Sequence, residues 1–480
     1  MTGFPFQGLD LWIFLLKAVV GTSAACHALI NKRRPRAAMG WVAICLALPL
    51  SGSLLYFFFG INRIRTRAQA LRAAGPDPMT DHTADLAPEA VVKDERAPAS
   101  YHELVQVSKG VTGLPLLAGN RIEILYNGEE TFPAMLEAIH GARRAVYLTT
   151  YIFESNATGR AFVDALASAQ DRGVDVRVII DGFGELYAKE RVSRWLHDRG
   201  VQVARFLPPR LIPPMLHVNL RNHRKILVVD NEVAFTGGMN LGDRHLADRL
   251  DNPRRVVDVH FRLRGPIVAQ IEQGFRDDWA FARREPWEEV DSAPSTCGTA
   301  VCRAILDGPD DPLDRLYNVY LGAVSAAQHS IRIMTPYFVP PRELIGALQS
   351  AALRGIDVTV VLPELNNLPV VHWASRNMLW ELLQHGVDIA YQPPPFVHSK
   401  LFVVDDHYVL LGSANLDPRS LRLNFELNIE VFDLELGHEI ASHILTARAK
   451  SRPVTLEEVD SRPFWQRLRD GLAWLFAPYL

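Results

Sequence analysis

The sequence predicts an α/β protein of two similar repeats, mixed sheets with flanking helices, that share one central site and follow an N-terminal transmembrane helical hairpin. Three observations carry this prediction. Two long apolar segments fill the first 60 residues, and a Pro- and Asp-rich stretch follows them. One pattern then occurs twice, HRKILVVD at 223–230 and HSKLFVVD at 398–405.

At 480 residues and 48% hydrophobic content, the chain has material for two or three domains with sizeable cores. A formal net charge of −3 counts against a nucleic-acid partner, which usually demands a basic excess. Four cysteines, Cys26, Cys45, Cys297 and Cys302, are too few for a disulfide framework. Cys297 and Cys302 stand close in sequence, but no second pair completes a zinc site, and all four are read as structural or free thiols.

Residues 11–30, LWIFLLKAVVGTSAACHALI, are interrupted by Lys17 and His27, whereas 37–60, AAMGWVAICLALPLSGSLLYFFFG, carry no charge. About 20 apolar residues cross a bilayer's hydrocarbon core, so the second segment is the stronger predicted span. A cleaved signal peptide fits less well, because Asp10 precedes the apolar run and the basic cluster follows it. Lys32, Arg33, Arg34 and Arg36 lie between the segments, and Arg63, Arg65, Arg67 and Arg72 lie beyond. Four cations on each side leave the orientation undetermined.

The hairpin is assigned to 1–73. Residues 74–108 lose periodicity and fill with Pro, Asp and Ala, the composition of a linker. From 109 the chain repeats itself, with a first unit over 109–295 and a second, including a C-terminal tail, over 296–480. RRAVYLTTYIF (143–153) is echoed by HSIRIMTPYFV (329–339), and DRGVDVRVIIDG (171–182) by LRGIDVTVVLPE (353–364). The offset falls slowly, from 186 at Tyr151/Tyr337 to 175 at His223/His398. Strands alternating with helical stretches such as GRAFVDALASAQDRG argue for a mixed sheet covered by helices.

Residues 223–244 match 398–419 without a gap at nine of 22 positions, including Asn240 and Asn415, each 17 after its histidine. Alternate residues of a strand share a face, so His and Lys of each motif point together. Two such halves about a pseudo-twofold axis would gather two imidazoles, two ammoniums and two amides. That set suits a phosphodiester. Lys and Asn can neutralise the non-bridging oxygens, one histidine can attack phosphorus, and the other can protonate the leaving oxygen. The lysines supply the charge, so the chemistry requires no metal or other cofactor.

These residues resemble the phospholipase D superfamily, whose doubled His-x-Lys-x4-Asp signature they reproduce. Within it, the membrane segments together with RNHRKILVVDNEVAFTGGMN and HSKLFVVDDHYVLLGSANLDPRSLRLNFELN resemble the bacterial cardiolipin synthase family. The resemblance implies metal-independent transfer between two phosphatidylglycerol molecules, giving cardiolipin and glycerol through a phosphohistidine, in a multi-pass protein of the bacterial inner membrane. It implies His223 as nucleophile and His398 as general acid, then base. Lys225, Lys400, Asn240 and Asn415 would hold phosphate. Asp230 and Asp405, counted within the catalytic motif, would act as structural and electrostatic supports. Glu426 would orient His398, and Asp258 would orient His223.

Three other features are read from the residues alone. PPRLIPPMLH (208–217) is either a rigid loop or the lining of an acyl-chain entry. The tail FWQRLRDGLAWLF either docks on the protein or rests at a membrane interface. His217, His245 and His260 are read as ordinary. Two other functions compete: a hydrolytic phosphodiesterase of the same fold, and a non-catalytic membrane scaffold. The scaffold predicts a broken motif, whereas both copies are intact.

Overall fold

The computed structural model describes residues 6–32, 35–61, 100–209, 220–285, 287, 294–309 and 313–477. The chain divides into two compact units, 1–74 and 75–480.

In the first unit, helix Phe6–Asn31 packs against helices Pro35–Ala47 and Pro49–Leu55, followed by a π-helical turn at Tyr56–Gly60. Small residues allow the approach: a Cβ on Gly21 would stand 2.8 Å from the Cys45 carbonyl oxygen. Among the described residues, only Asp10–Asn31 is a helix long and apolar enough to cross a membrane. The expectation for 37–60 is therefore corrected, because that segment is not one helix. Leu48 leaves the helical region (φ −127°, ψ 71°) ahead of Pro49, whose ring disfavours helix in the preceding residue. Backbone bonds still bridge the break, from Leu48 N–H to Ile44 O and from Gly52 N–H to Leu48 O. The basic clusters at 33–34 and 63–72 lie outside the described residues, as does most of the predicted linker.

The second unit is built on one mixed sheet. The first repeat supplies β1 (Leu117–Tyr126), β2 (Ala145–Thr150), β3 (Asp175–Asp181), β4 (Gln202–Phe206), β5 (Ile226–Val229), β6 (Val233–Gly237), β7 (Val256–Val257) and β8 (Val259–Arg264). The second supplies β9 (Ala300–Asp307), β10 (Ser330–Met334), β11 (Asp357–Pro363), β12 (Asp388–Gln392), β13 (Phe396–Val397), β14 (Leu401–Val404), β15 (Tyr408–Gly412), β16 (Glu426–Phe432) and β17 (Arg452–Pro453). Fifteen strands run in the order β17-β12-β11-β10-β14-β15-β16-β9-β1-β8-β6-β5-β2-β3-β4. Outward from the β9:β1 pair the two repeats are identical in order, β17 apart. The expected pair of sheets is thus one sheet, joined edge to edge. Asn120 pins the join: its amide donates to the Ala300 carbonyl at 3.2 Å, and its Oδ1 accepts from Ile267 N–H at 2.8 Å.

Apolar faces follow from the sequence pattern. β3 and β11 are buried along nearly their whole length, as expected of strands covered on both sides. Helices Asn127–Gly141 and Ala157–Asp171 seal one core through Phe132, Ile139, Phe162 and Leu166. Helix Ser100–Thr112 corrects the end of the predicted linker at 108. It carries Tyr101, Leu104 and Val105 into the core of the second repeat, and Tyr101 donates to Val404 O at 3.0 Å.

The C-terminal helix Phe464–Leu475 docks on the protein, one of the two alternatives the sequence left open. Asp470 and Ala473 are buried beneath it, with Asp470 paired to Arg462 and Arg469. Phe464, Trp465, Leu468, Leu472 and Leu475 form the opposite, exposed stripe.

Asp230 and Asp405 end their strands and belong to the fold. Both sit at positive φ, 54° and 50°, and each carboxylate reaches across to the segment leading into the neighbouring strand, β2 or β10. Asp230 accepts from the N–H groups of Arg143, Arg144 and Ala145, and Asp405 from those of Gln328, His329 and Ser330, at 2.7–2.9 Å. Each lies seven positions along the chain from its histidine, roughly 23 Å if fully extended. Their place in a catalytic set is corrected accordingly. Asp405→Ala should lose about 1–3 kcal/mol of stability by chemical denaturation while the folded fraction keeps its activity. Wild-type stability with lost turnover would return the aspartate to the chemistry.

Candidate active site

The segment ahead of β5 alternates cleanly. Asn222 and Arg224 turn to one side and bond to Asp278, at 2.8 and 2.6 Å. His223 and Lys225 turn to the other. In the second repeat, Val397 and Ser399 are buried on one side, and His398 and Lys400 take the other.

Each histidine is gripped by the opposite repeat. His223 N–H donates to Phe425 O at 2.9 Å, and the next residue, Glu426, receives the His223 Nδ1–H at 3.0 Å. His398 N–H donates to Val257 O at 2.8 Å, and the next residue, Asp258, receives the His398 Nδ1–H at 2.9 Å. The short parallel pair of β13 with β7 frames the second contact. The predicted pairing of Glu426 with His398 and Asp258 with His223 is therefore reversed: each carboxylate crosses to the other repeat. A carboxylate on Nδ1 fixes the proton there and leaves Nε2 with its lone pair.

One pair of positions explains why the acids differ in length. Gly238 occupies the place of Ser413. A Cβ on Gly238 would lie 2.6 Å from Asp258 Oδ1, so the shorter acid needs the glycine. Ser413 instead donates to Glu426 Oε2 at 2.6 Å, and Asn424 donates to Oε1 at 3.1 Å. Sequence reasoning missed both Ser413 and Asn424. For Ser413 the signal available was the polar replacement in LGSAN where the first repeat has TGGMN.

The lysines lie against their own histidines. Lys225 Nζ donates to His223 O at 2.6 Å, and Lys400 Nζ donates to His398 O at 2.7 Å while standing 3.1 Å from both ring nitrogens. Burial pushes Lys225 down to about 7 and Lys400 down to about 8. Burial also lowers His223 to about 4, against the pull of Glu426, and lowers His398 to about 4 with the Lys400 charge adding to it. Burial alone would raise Asp258, but the His398 hydrogen bond and the neighbouring cations hold it at about 2. Both imidazoles are thus neutral near pH 7, beside ammonium groups that an anion would stabilise.

Asn240 Oδ1 accepts from Ile152 N–H at 3.2 Å. Asn415 donates to Ser420 Oγ at 3.2 Å, and its buried Oδ1 has no hydrogen-bond partner among the described residues. Tyr151 and Tyr337 stand edge-on to His223 and His398, ring centroids 5.3 and 6.3 Å apart. His245 and His260, read as ordinary, are buried nearby, and His245 Nε2 accepts from Asn240 N–H at 3.3 Å. His217 and most of PPRLIPPMLH lie outside the described residues. All four cysteines are free.

The crossed pairing has a direct check. In Glu426→Gln, imidazole nitrogen NMR should report loss of the fixed tautomer at His223, and in Asp258→Asn at His398. The reverse assignment of the two signals would restore pairing within each repeat.

The family described as "Cardiolipin synthase, PLD-like domain" matches residues 135–279 and 320–446, one segment in each repeat, and "Phospholipase D-nuclease N-terminal" matches 19–60. The chain is 30% identical over 462 residues to the major cardiolipin synthase of Bacillus subtilis, covering 94% of this chain and 95% of that one. It is 33% identical over 469 residues to cardiolipin synthase A of Pseudomonas fluorescens, covering 96% of each. Phosphatidylserine synthase of Haemophilus influenzae superposes with a TM-score of 0.61 at 16% identity, over 79% of this chain and 100% of that one, a likeness of fold. With both repeats matched and relatives aligned end to end, the chain belongs to the cardiolipin synthase family of phospholipase D-like proteins.

Proposed function

We propose that the protein is a membrane-bound cardiolipin synthase whose two repeats serve one site. The crossed carboxylates carry this reading, since neither histidine is oriented without the other half. One phosphatidylglycerol places its phosphate between Lys225 and Lys400, with Asn240 and Asn415 as further donors. His223 Nε2 attacks phosphorus, the bond to the headgroup glycerol breaks, and His398 gives that oxygen its proton. A hydroxyl of a second phosphatidylglycerol then loses its proton to His398 and attacks phosphorus as the bond to His223 breaks. The lysines meet the charge that builds on the non-bridging oxygens.

Protonation favours this order. Neutral His223 is ready to attack. His398 becomes a proton donor once a bound anion offsets the lysine charge beside it. Transfer wins over hydrolysis only if the lipid hydroxyl is held in place, where effective molarities of about 10⁵ M outweigh water. Membrane residence supplies lipid hydroxyls at the site. Helix Asp10–Asn31 anchors the chain, the segment behind it completes a hairpin within the bilayer of the bacterial inner membrane, and the exposed aromatic stripe of the C-terminal helix suits the lipid interface.

Two outcomes test this reading. Phosphatidylglycerol vesicles should yield cardiolipin and glycerol with little phosphatidic acid, and His223→Ala or His398→Ala should each abolish turnover. Phosphatidic acid as the main product would favour hydrolysis, and half activity in each variant would mean two independent sites.

The pH profile follows from the shifts. Both lysines are depressed, so kcat/KM should fall on the alkaline side as Lys225 and Lys400 lose protons near 7 and 8, and on the acid side as His223 gains one near 4. Bound phosphate favours charged lysine, so the alkaline limb of kcat should lie higher. A kcat/KM profile flat to pH 9 would remove the lysines from the charge-bearing role.

A further inference from the structure

The repeats match closely around the histidines, so a charge present on one side only is informative. Two residues before the histidines stand Arg221 and Phe396, in register with one another. Arg221 belongs to the same row as His223 and Lys225, because Asn222 and Arg224 turn away to Asp278. One step along that row is about 7 Å. In the second repeat the place is apolar: the Phe396 ring lies 5.8 Å from that of His398.

Arg221 is 3% exposed. Its guanidinium lies over the Phe183 ring at 4.3 Å, and Nη1 donates to the Leu220 carbonyl at 3.1 Å. These are the ring and hydrogen-bond contacts of the guanidinium among the described residues, while Tyr151, Tyr187 and Arg419 act on it through charge. Asp181 acts on it through charge, but that carboxylate is occupied by the N–H groups of Phe183, Gly184 and Asn222, all at 2.9 Å. Aromatic contacts lead from Phe183 to Tyr187, then Tyr151, then His223, with centroids 6.3, 6.3 and 5.3 Å apart. A buried guanidinium with no carboxylate bonded to it is costly to keep. Its planar fork of donors fits phosphate.

We propose that Arg221 binds the phosphate of the acceptor phosphatidylglycerol, while Lys225 and Lys400 hold the phosphate being transferred. This rests on the synthase reading. The acceptor's reactive hydroxyl is separated from its own phosphate by a three-carbon glycerol. With that hydroxyl at the reacting phosphorus, the second phosphate must lie one glycerol away, the scale of one step along the row. Water and free glycerol carry no phosphate, so Arg221 favours a lipid acceptor over either.

The test compares two acceptors in one preparation of full-length protein in phosphatidylglycerol vesicles with labelled free glycerol. Cardiolipin reports transfer to lipid, and label entering phosphatidylglycerol reports transfer to free glycerol. Arg221→Gln should lower the ratio of cardiolipin to labelled phosphatidylglycerol by about ten- to a hundredfold, and Arg221→Lys should recover part of it. Because the readout is a ratio within one sample, partial misfolding cancels. Equal losses in both products, or an unchanged ratio, would overturn the inference alone. Wild-type protein that makes no cardiolipin would instead overturn the synthase reading on which it rests.

Discussion

The structure depends on an exchange across the pseudo-twofold axis. Each histidine rests its backbone N–H on a carbonyl of the other repeat and its ring on the carboxylate one residue further. A backbone bond and a side-chain bond from adjacent residues fix both the position and the rotation of the ring. Neither repeat can supply this to itself. Continuity of the sheet through β1 and β9 and the isolated bridge between Asn222 and Phe425 hold the two halves in the register this exchange demands.

The exchange also explains where the symmetry fails. Asp258 and Glu426 differ by one methylene, and the turn opposite each compensates, with Gly238 making room and Ser413 supplying a hydroxyl. The two solutions deliver a carboxylate to Nδ1 at nearly the same distance. By the same logic, an asymmetry with no such compensation, Arg221 against Phe396, points to the substrate rather than to the protein.

Much of this was legible in the sequence. Alternating apolar strands, the Gly caps at 173 and 355 with φ of 87° and 89°, and the slowly drifting repeat located the matching elements. The doubled motif located the histidines and lysines. Spacing could not say which repeat's acid serves which histidine, because crossing the axis leaves no mark along the chain. The aspartates that close the motifs were expected as supports, and the support they give is structural. They recur with the histidines because every such strand needs its turn fastened, and Asp230 and Asp405 each bind three backbone amides to do so. Helix Ser100–Thr112 was hidden by the Pro-rich composition ahead of it. The break at Leu48 was hidden because hydropathy counts apolar residues and is blind to what Pro49 does to the residue before it.

The electrostatics of the site complete the argument. Two lysines and two histidines share a buried volume, and burial lowers the affinity of all four bases for protons despite the carboxylates of Asp258 and Glu426. Such a cluster is poorly satisfied by itself and is relieved by an anion, which restores charge to the lysines and basicity to the imidazole that must carry a proton. On the proposed reading, substrate binding is therefore also the step that sets the protonation state for catalysis. The free site cannot act as an acid, so on this reading His398 carries the proton for the leaving oxygen only with a phosphodiester in place.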